Sequence, residues 1–421
     1  MIVAKFGGTS VQDAECIRRA VGIVADRLER RPLVVVSALA GVTRQLLALG
    51  RQTLAGAAAA RRELRAIGNR HLAILGELDT TPGERRWAEA RSKALLAALQ
   101  SRLDGIAGSG VYDGAAQDGV IAFGERLSTT LFGAAARGAG LAADNVDAAE
   151  VVVTDDRFRS ARPDRGAIDR RAALRLRPLL EAGRVPVVEG FIGATTAGQT
   201  TTMGFEASDL TASLLGAALG AEEVQIWTDV PGMLTTGHPA IAAPRRVPRL
   251  SFGEARELAL FGAKVLHPDT VEPARERGIP VRILHSRDPA GEGTWITARG
   301  AAAGAGGAAG AAAAVATVKS IAVTEDLAAE TAAAVRAALG DGHVGAAVSG
   351  RAVVCLVGEG IGAVRGGGEE IAGRIRRALA GMAAEPARAG TSNDRLPLVM
   401  PRELVAEAVA RLHREFFGDA G

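Results

Sequence analysis

The chain has 421 residues, 48% hydrophobic and 23% charged, with a formal net charge of only +3. That length exceeds one hydrophobic core and suits two or three domains of a globular protein. Aromatics at 3% are too few for a base-stacking platform, no uninterrupted apolar run reaches a membrane span, and two distant cysteines, Cys16 and Cys355, form no metal pattern; nucleic acid, membrane insertion and structural zinc are therefore not expected.

The first element is an apolar strand, "IVAKF", that carries Lys5 and breaks into Gly7-Gly8-Thr9-Ser10. Glycines let backbone N–H groups approach an anion, a lysine adds charge and two hydroxyls add donors. A β-turn that happens to hold a lysine is the plainer alternative. The chain enters this strand without a signal-peptide core, which together with the cysteine usage predicts a reducing cytoplasm. "AECIRRAVGIVADRLE" then predicts a helix and "PLVVVSA" a strand, followed by Ser37, Gly41 and Thr43. Residues 53–103, rich in Ala, Arg, Leu and Glu, predict a helical excursion. "VPVVEGFIG", "EVQIWTDV" and "IPVRILHS" predict further strands, with helices at "LTASLLGAALG" and "FGEARELALFGAK". The alternation predicts a mostly parallel sheet covered on both faces. Residues 296–314 include the low-complexity run "AAAGAGGAAGAAAA", a linker by composition. Residues 315–421 predict a smaller antiparallel sheet with helices on one face.

Ligands of open parallel sheets bind outside the carboxyl ends of the strands, and polar clusters collect there in this chain. They are Lys5 with Gly7, Gly8, Thr9 and Ser10; Thr43; Glu125 in "FGERLS"; Ser208 and Asp209 in "ASDLTA"; Thr228 and Asp229 in "WTDVPG"; and Lys264 in "FGAKVLHP". Each has a structural alternative. Ser208 or Asp209 can cap a helix, Glu125 can complement a helix dipole, Asp229 can form a turn and Lys264 can be a solvated surface lysine. Two lysines and several acids at sheet termini also suit phosphoryl transfer. No P-loop, protein-kinase signature set or zinc-protease motif is present.

"KFGGTSV", "FGERLS", "GFIGATTAGQTTT", "SDLTASLLGAALGAEEVQIWTDVPG" and "FGAKVLHP" resemble the aspartate kinases of the amino-acid kinase superfamily, collinearly from Ile2 to about Pro289. "GRAVVCLVGEG" and "RLHREFFG" look like that family's last ACT module. The resemblance implies a three-layer α/β/α sandwich with a mostly parallel sheet over residues 1–295 and a truncated α+β ACT-like domain over 315–421. It implies the conversion of ATP and L-aspartate to 4-phospho-L-aspartate with Mg²⁺, the first step towards lysine, threonine and methionine, and a homodimer. By position, Lys5 and Lys264 would offset phosphate charge and Asp209 would orient them. Gly7, Gly8, Thr9 and Ser10 would cradle the phosphoryl group, Glu125 would bind the substrate ammonium, Thr43 and Ser208 would place the amino acid, and Thr228 and Asp229 would lie at the nucleotide.

The chain departs from the family at specific places. Where the family reads Gly-Arg-Gly-Gly-Ser-Asp, this chain has Phe205 and Glu206 in Gly204–Asp209. The missing arginine implies weaker aspartate binding, since one charge-assisted hydrogen bond contributes about 1.5–3 kcal/mol. On the nucleotide side, Leu234 replaces a tyrosine and Pro239 an arginine. Much of the first ACT module is absent after "VKSIAV", which predicts weak or absent feedback inhibition.

Overall fold

The computed structural model describes residues 1–204, 207–261, 270–298, 317–324, 351–358, 361, 367–386 and 394–418. They fall into two compact units, one of residues 1–231 and 272–291, the other of residues 232–271 and 292–421. Residues 232–271, inside the 1–295 segment, thus pack with the second unit. Most of the linker and residues 325–350 lie outside the described residues.

In the first unit, β1 (Ile2–Phe6), β2 (Pro32–Val36), β3 (Ala143–Val146), β4 (Val185–Glu189), β7 (Glu223–Thr228) and β9 (Val281–His285) run in the order β3-β4-β2-β1-β7-β9. Every pairing among them is parallel. β1, β2 and β4 are buried at every position, as mainly apolar strands covered on both faces should be. β5 (Ile192–Ala194) and β6 (Thr200–Thr202) form a separate antiparallel hairpin.

The helices of this unit are α1 (Ala14–Ala25), α2 (Val42–Ala55), α3 (Ala57–Glu77), α4 (Pro82–Ser109), α5 (Gly114–Ile121), α6 (Phe123–Gly138), α7 (Arg165–Arg175), α8 (Arg177–Glu181), α9 (Ser208–Leu219) and, after an excursion into the second unit, α11 (Glu272–Glu276). α2 to α4 account for the predicted helical excursion. α1 starts where Asp13 accepts the Cys16 N–H, and α4 where Thr81 caps ahead of Pro82, two sequence-readable starts. α6 buries both faces of its first three turns, so its first-turn acid, Glu125, has little access to water.

In the second unit, β8 (Arg249–Ser251) and β10 (Thr294–Thr297) pair in parallel. β11 (Ser320–Thr324), β12 (Arg351–Val357), β13 (Glu385–Pro386) and β14 (Arg395–Pro401) form an antiparallel sheet in the order β11-β12-β14-β13. Ala352, Val354, Leu356, Leu398 and Met400 pack with Ile371 and Ile375 of helix Gly367–Ala378 and with Val405, Val409 and Leu412 of helix Val405–Phe417. Alternate residues of a strand point to the opposite face. There Arg395 bonds Glu257 of α10 (Phe252–Leu260) at 2.8 Å; just before β11, Lys319 bonds Glu254 of the same helix at 2.9 Å. The two helices of residues 315–421 thus share one face, as the sequence predicted, and α10, from upstream of the linker, lies against the other.

Candidate active site

The glycine turn is built by close backbone approach. Gly7 donates its N–H to the Trp227 carbonyl at 3.1 Å, and Ser10 donates to the Gly7 carbonyl at 2.9 Å. A Cβ on Gly8 would lie 2.8 Å from the Ala38 carbonyl oxygen, so no larger residue fits without moving the β2 loop. The Gly8 carbonyl in turn accepts the Ala40 N–H at 3.1 Å. Gly8 and Thr9 N–H groups have no acceptor among the described residues, which leaves them as donors at the mouth of β1. Ser10 is spent on the fold: its buried Oγ lies 3.2 Å from the Trp227 carbonyl and 3.0 Å from Ser286 Oγ.

Lys5 stands on the central strand, between Val35 of β2 and Ile226 of β7. Its ammonium forms an ion pair with Asp209, and both side chains are buried. A Cβ on Gly7 would come within 3.6 Å of Lys5 Nζ, so the cation sits beside the glycine turn. α9 begins at Ser208, its cap residue is Ala207, and no side chain caps it. Asp209 is thus not the cap that sequence rules allow; two residues past the cap, it faces Lys5. Ser208 packs against the end of β4, where a Cβ on Gly190 would meet it at 2.6 Å.

Glu125 reaches the β2 loop, where Oε1 accepts the Ala38 N–H at 3.1 Å. Its Oε2 is buried and has no hydrogen-bond partner among the described residues. Burial, with the Glu189 carboxyl as a further negative neighbour, pushes the Glu125 carboxyl up to about 8. Thr43 lies half-buried in the first turn of α2, behind Gly41 at φ +84°. At the end of β7, Thr228 donates to Asp229 Oδ1 at 3.2 Å, and the exposed Asp229 offers its carbonyl to His285 Nε2 at 3.0 Å. Lys264, Phe205 and Glu206 lie outside the described residues.

Two buried acids went unrecognised in the sequence. Asp118 of α5 accepts the N–H groups of Arg159 and Thr202 at 2.8 and 2.9 Å and the Thr202 hydroxyl at 2.6 Å. It thereby ties the hairpin to the loop in which Arg159 adopts φ +72°. Glu189 ends β4; its Oε2 accepts the Ala148 N–H at 2.7 Å, and Thr129 Oγ1 lies 3.3 Å from Oε1. The only signal for Glu189 was a lone charge ending the apolar run "VPVVE", and Asp118 had none. Among the described residues no cluster of three or more His, Cys, Asp or Glu can hold a metal. The set fits a cation carried on substrate phosphates, as Mg²⁺ commonly is, better than a caged ion.

Residues 1–285, which hold the parallel sheet, the lysine–aspartate pair and the glycine turn, match the amino acid kinase family. The chain belongs to that family. It is 40% identical to lysine-sensitive aspartokinase 3 of Escherichia coli (strain K12) over 296 residues, 70% of this chain and 64% of that one. Against the chloroplastic aspartokinase 1 of Arabidopsis thaliana the identity is 36% over 300 residues, 70% of this chain and 52% of the other. The chain thus covers under two thirds of the length of these curated relatives. The crystal structure of E. coli aspartokinase III in complex with aspartate and ADP matches with a TM-score of 0.80 at 29% identity, covering 99% of this chain and 100% of that one.

Proposed function

We propose that the chain phosphorylates the side-chain carboxylate of L-aspartate with ATP, giving 4-phospho-L-aspartate. A carboxylate oxygen attacks the γ-phosphorus; the O–P bond forms as the bond to the β-phosphate's bridging oxygen breaks, and ADP leaves with that electron pair. The observation that carries the reading is the buried Lys5–Asp209 pair beside the glycine turn. The likeness to an aspartokinase holding aspartate and ADP supports it. Lys5 faces the transferring phosphoryl group, and its ion pair with Asp209 holds the ammonium in place. The Gly8 and Thr9 N–H groups donate to phosphoryl oxygens, a preorganised stabilisation of developing charge. Gly7 and Ser10 shape the turn, Glu125 takes the substrate ammonium on Oε2, Thr43 and Ser208 place the amino acid, and Thr228 and Asp229 border the nucleotide. Lys264 is proposed as a second phosphate contact from its motif alone. Mg²⁺ arriving with ATP supplies charge neutralisation.

The unit of function is proposed as residues 1–295, with the ACT-like part as a homodimer contact and the cytoplasm as the compartment. Among the described residues no helix is long and apolar enough to cross a membrane. The test is ADP release from Mg-ATP and L-aspartate, with hydroxylamine trapping the acyl phosphate. Hydroxamate is expected from the unaltered chain, and Lys5→Ala should lower kcat by about 10²–10³-fold, as loss of one oxyanion donor does. Phe205, where the family carries arginine, motivates the second reading, another carboxylic acid as substrate. Hydroxamate with such an acid and none with saturating aspartate would establish it.

A further inference from the structure

The glycine turn after β1 and the loop after β2 meet at one mouth, and a side chain that no motif singled out joins them. Arg70 lies half-buried on α3, in the helical excursion. Its Nη1 donates to the Ala40 carbonyl at 3.0 Å and its Nη2 to the Gln12 carbonyl at 3.2 Å. Ala40 in turn donates its N–H to the Gly8 carbonyl at 3.1 Å. The segment from Gly8 to Gln12 is thus tied to Ala40 at both ends, directly at Gly8 and through the guanidinium at Gln12. Thr9, whose N–H has no acceptor among the described residues, lies inside this ring. On its other side Ala40 is followed by Gly41 at φ +84° and by Thr43 in the first turn of α2. The helix that carries Arg70 is fixed there, since its neighbours Ile67 and His71 are fully buried.

We propose that Arg70 is a positioning residue for phosphoryl transfer: its guanidinium fork locks the glycine turn to the β2 loop and so sets where the Gly8 and Thr9 N–H groups stand relative to Thr43. This rests on the reading of Gly8 and Thr9 as donors to the phosphoryl group. Arg70 acts through the backbone, because two nitrogens of its fork are spent on main-chain carbonyls. A planar fork presents two donors at fixed spacing, whereas a lysine offers the same charge from one atom on a flexible stem. Donors to a developing charge act only when they are already aimed at it, and the ring holds the turn in place before substrate arrives. A turn released at Gln12 keeps its own residues but loses that aim. Interactions realised mainly in the transition state act on kcat more than on KM.

Arg70→Ala and Arg70→Lys test the clamp, at a temperature where thermal melts show each variant folded. Both should lower kcat with aspartate by about 10–10²-fold and leave KM for ATP little changed. Millimolar ethylguanidine should restore part of the kcat of Arg70→Ala, and ethylamine at the same ionic strength should not, because only a guanidinium reproduces the fork. Hydrogen exchange without substrate should be faster within residues 8–12 and 37–43 of both variants and unchanged in β4. Ethylguanidine should slow it again in Arg70→Ala. A kcat retained in either variant, a loss confined to KM, unchanged exchange in those two segments, or no advantage of ethylguanidine over ethylamine overturns the proposal. Absent turnover of aspartate in the unaltered chain would instead overturn the aspartate reading, and exchange with its reversal by ethylguanidine would still decide whether Arg70 holds the turn.

Discussion

Glu125 costs the fold something that its proposed contact with the substrate ammonium explains. Its carboxyl is buried, Oε2 is unpartnered among the described residues, and burial raises it from the ordinary carboxylate range to about 8. A raised carboxyl binds a proton in the folded state that the unfolded chain has released. Its contribution to stability is therefore complete below the ordinary carboxylate value and is lost as pH rises through about 8. Thermal midpoints of the ligand-free protein should fall across that window, and Glu125→Gln should flatten the fall. An equal slope in both proteins would place the titration elsewhere. At this scale the sequence was readable where the chemistry is contiguous. Lys5, the two glycines and the hydroxyls sit in six residues, so their meaning needed no tertiary contact. Glu189 needed Thr129 from α6 and Ala148 from a turn 41 residues upstream, and no local pattern reports such a meeting.

Between residue and molecule lie the connections that hold loops against the sheet. Asp118 ties the β5–β6 hairpin and the Arg159 loop to α5 with three bonds. Asp118→Ala leaves two backbone N–H groups of the site's flank without an acceptor, at about 1–3 kcal/mol for each that stays dry. The variant should lose that much stability in urea and be cut faster by protease within 155–162. Unchanged protection there would mean that water replaces the carboxylate. Strand and helix order was legible because buried parallel strands read as apolar runs and helices as amphipathic ones. Helix starts were less so. A Ser-Asp pair before an apolar run reads as a cap, yet α9 begins at Ser208 behind Ala207, and Asp209 is placed by its ion pair with Lys5 rather than by the helix end.

For the whole molecule, the chain passes between its two compact units at residues 231, 271 and 291. α10, on the middle segment, has its buried Glu254 and Glu257 paired with Lys319 and Arg395 from the far side of the linker. A chain ending at residue 298 keeps both acids and loses both cations. Removing one partner of a buried pair commonly costs about 3–5 kcal/mol. Such a truncation should unfold at markedly lower temperature than the full chain, and Glu254→Gln with Glu257→Gln should recover part of the loss. A truncation as stable as the parent would show that these pairs carry little weight.

This interleaving also limits how such a protein can be rearranged. A small sheet attached only by a linker can be exchanged between genes as a cassette with a single junction. Here the sheet's second cover is encoded before the linker, so a functional exchange needs three junctions, at residues 231, 271 and 291, and residues 232–271 must travel with the C-terminal part. Chimaeras joined only within the Ala/Gly run inherit a sheet from one parent and its covering helix from the other, and the matching of Glu254 and Glu257 to their cations decides which pairs of parents are compatible.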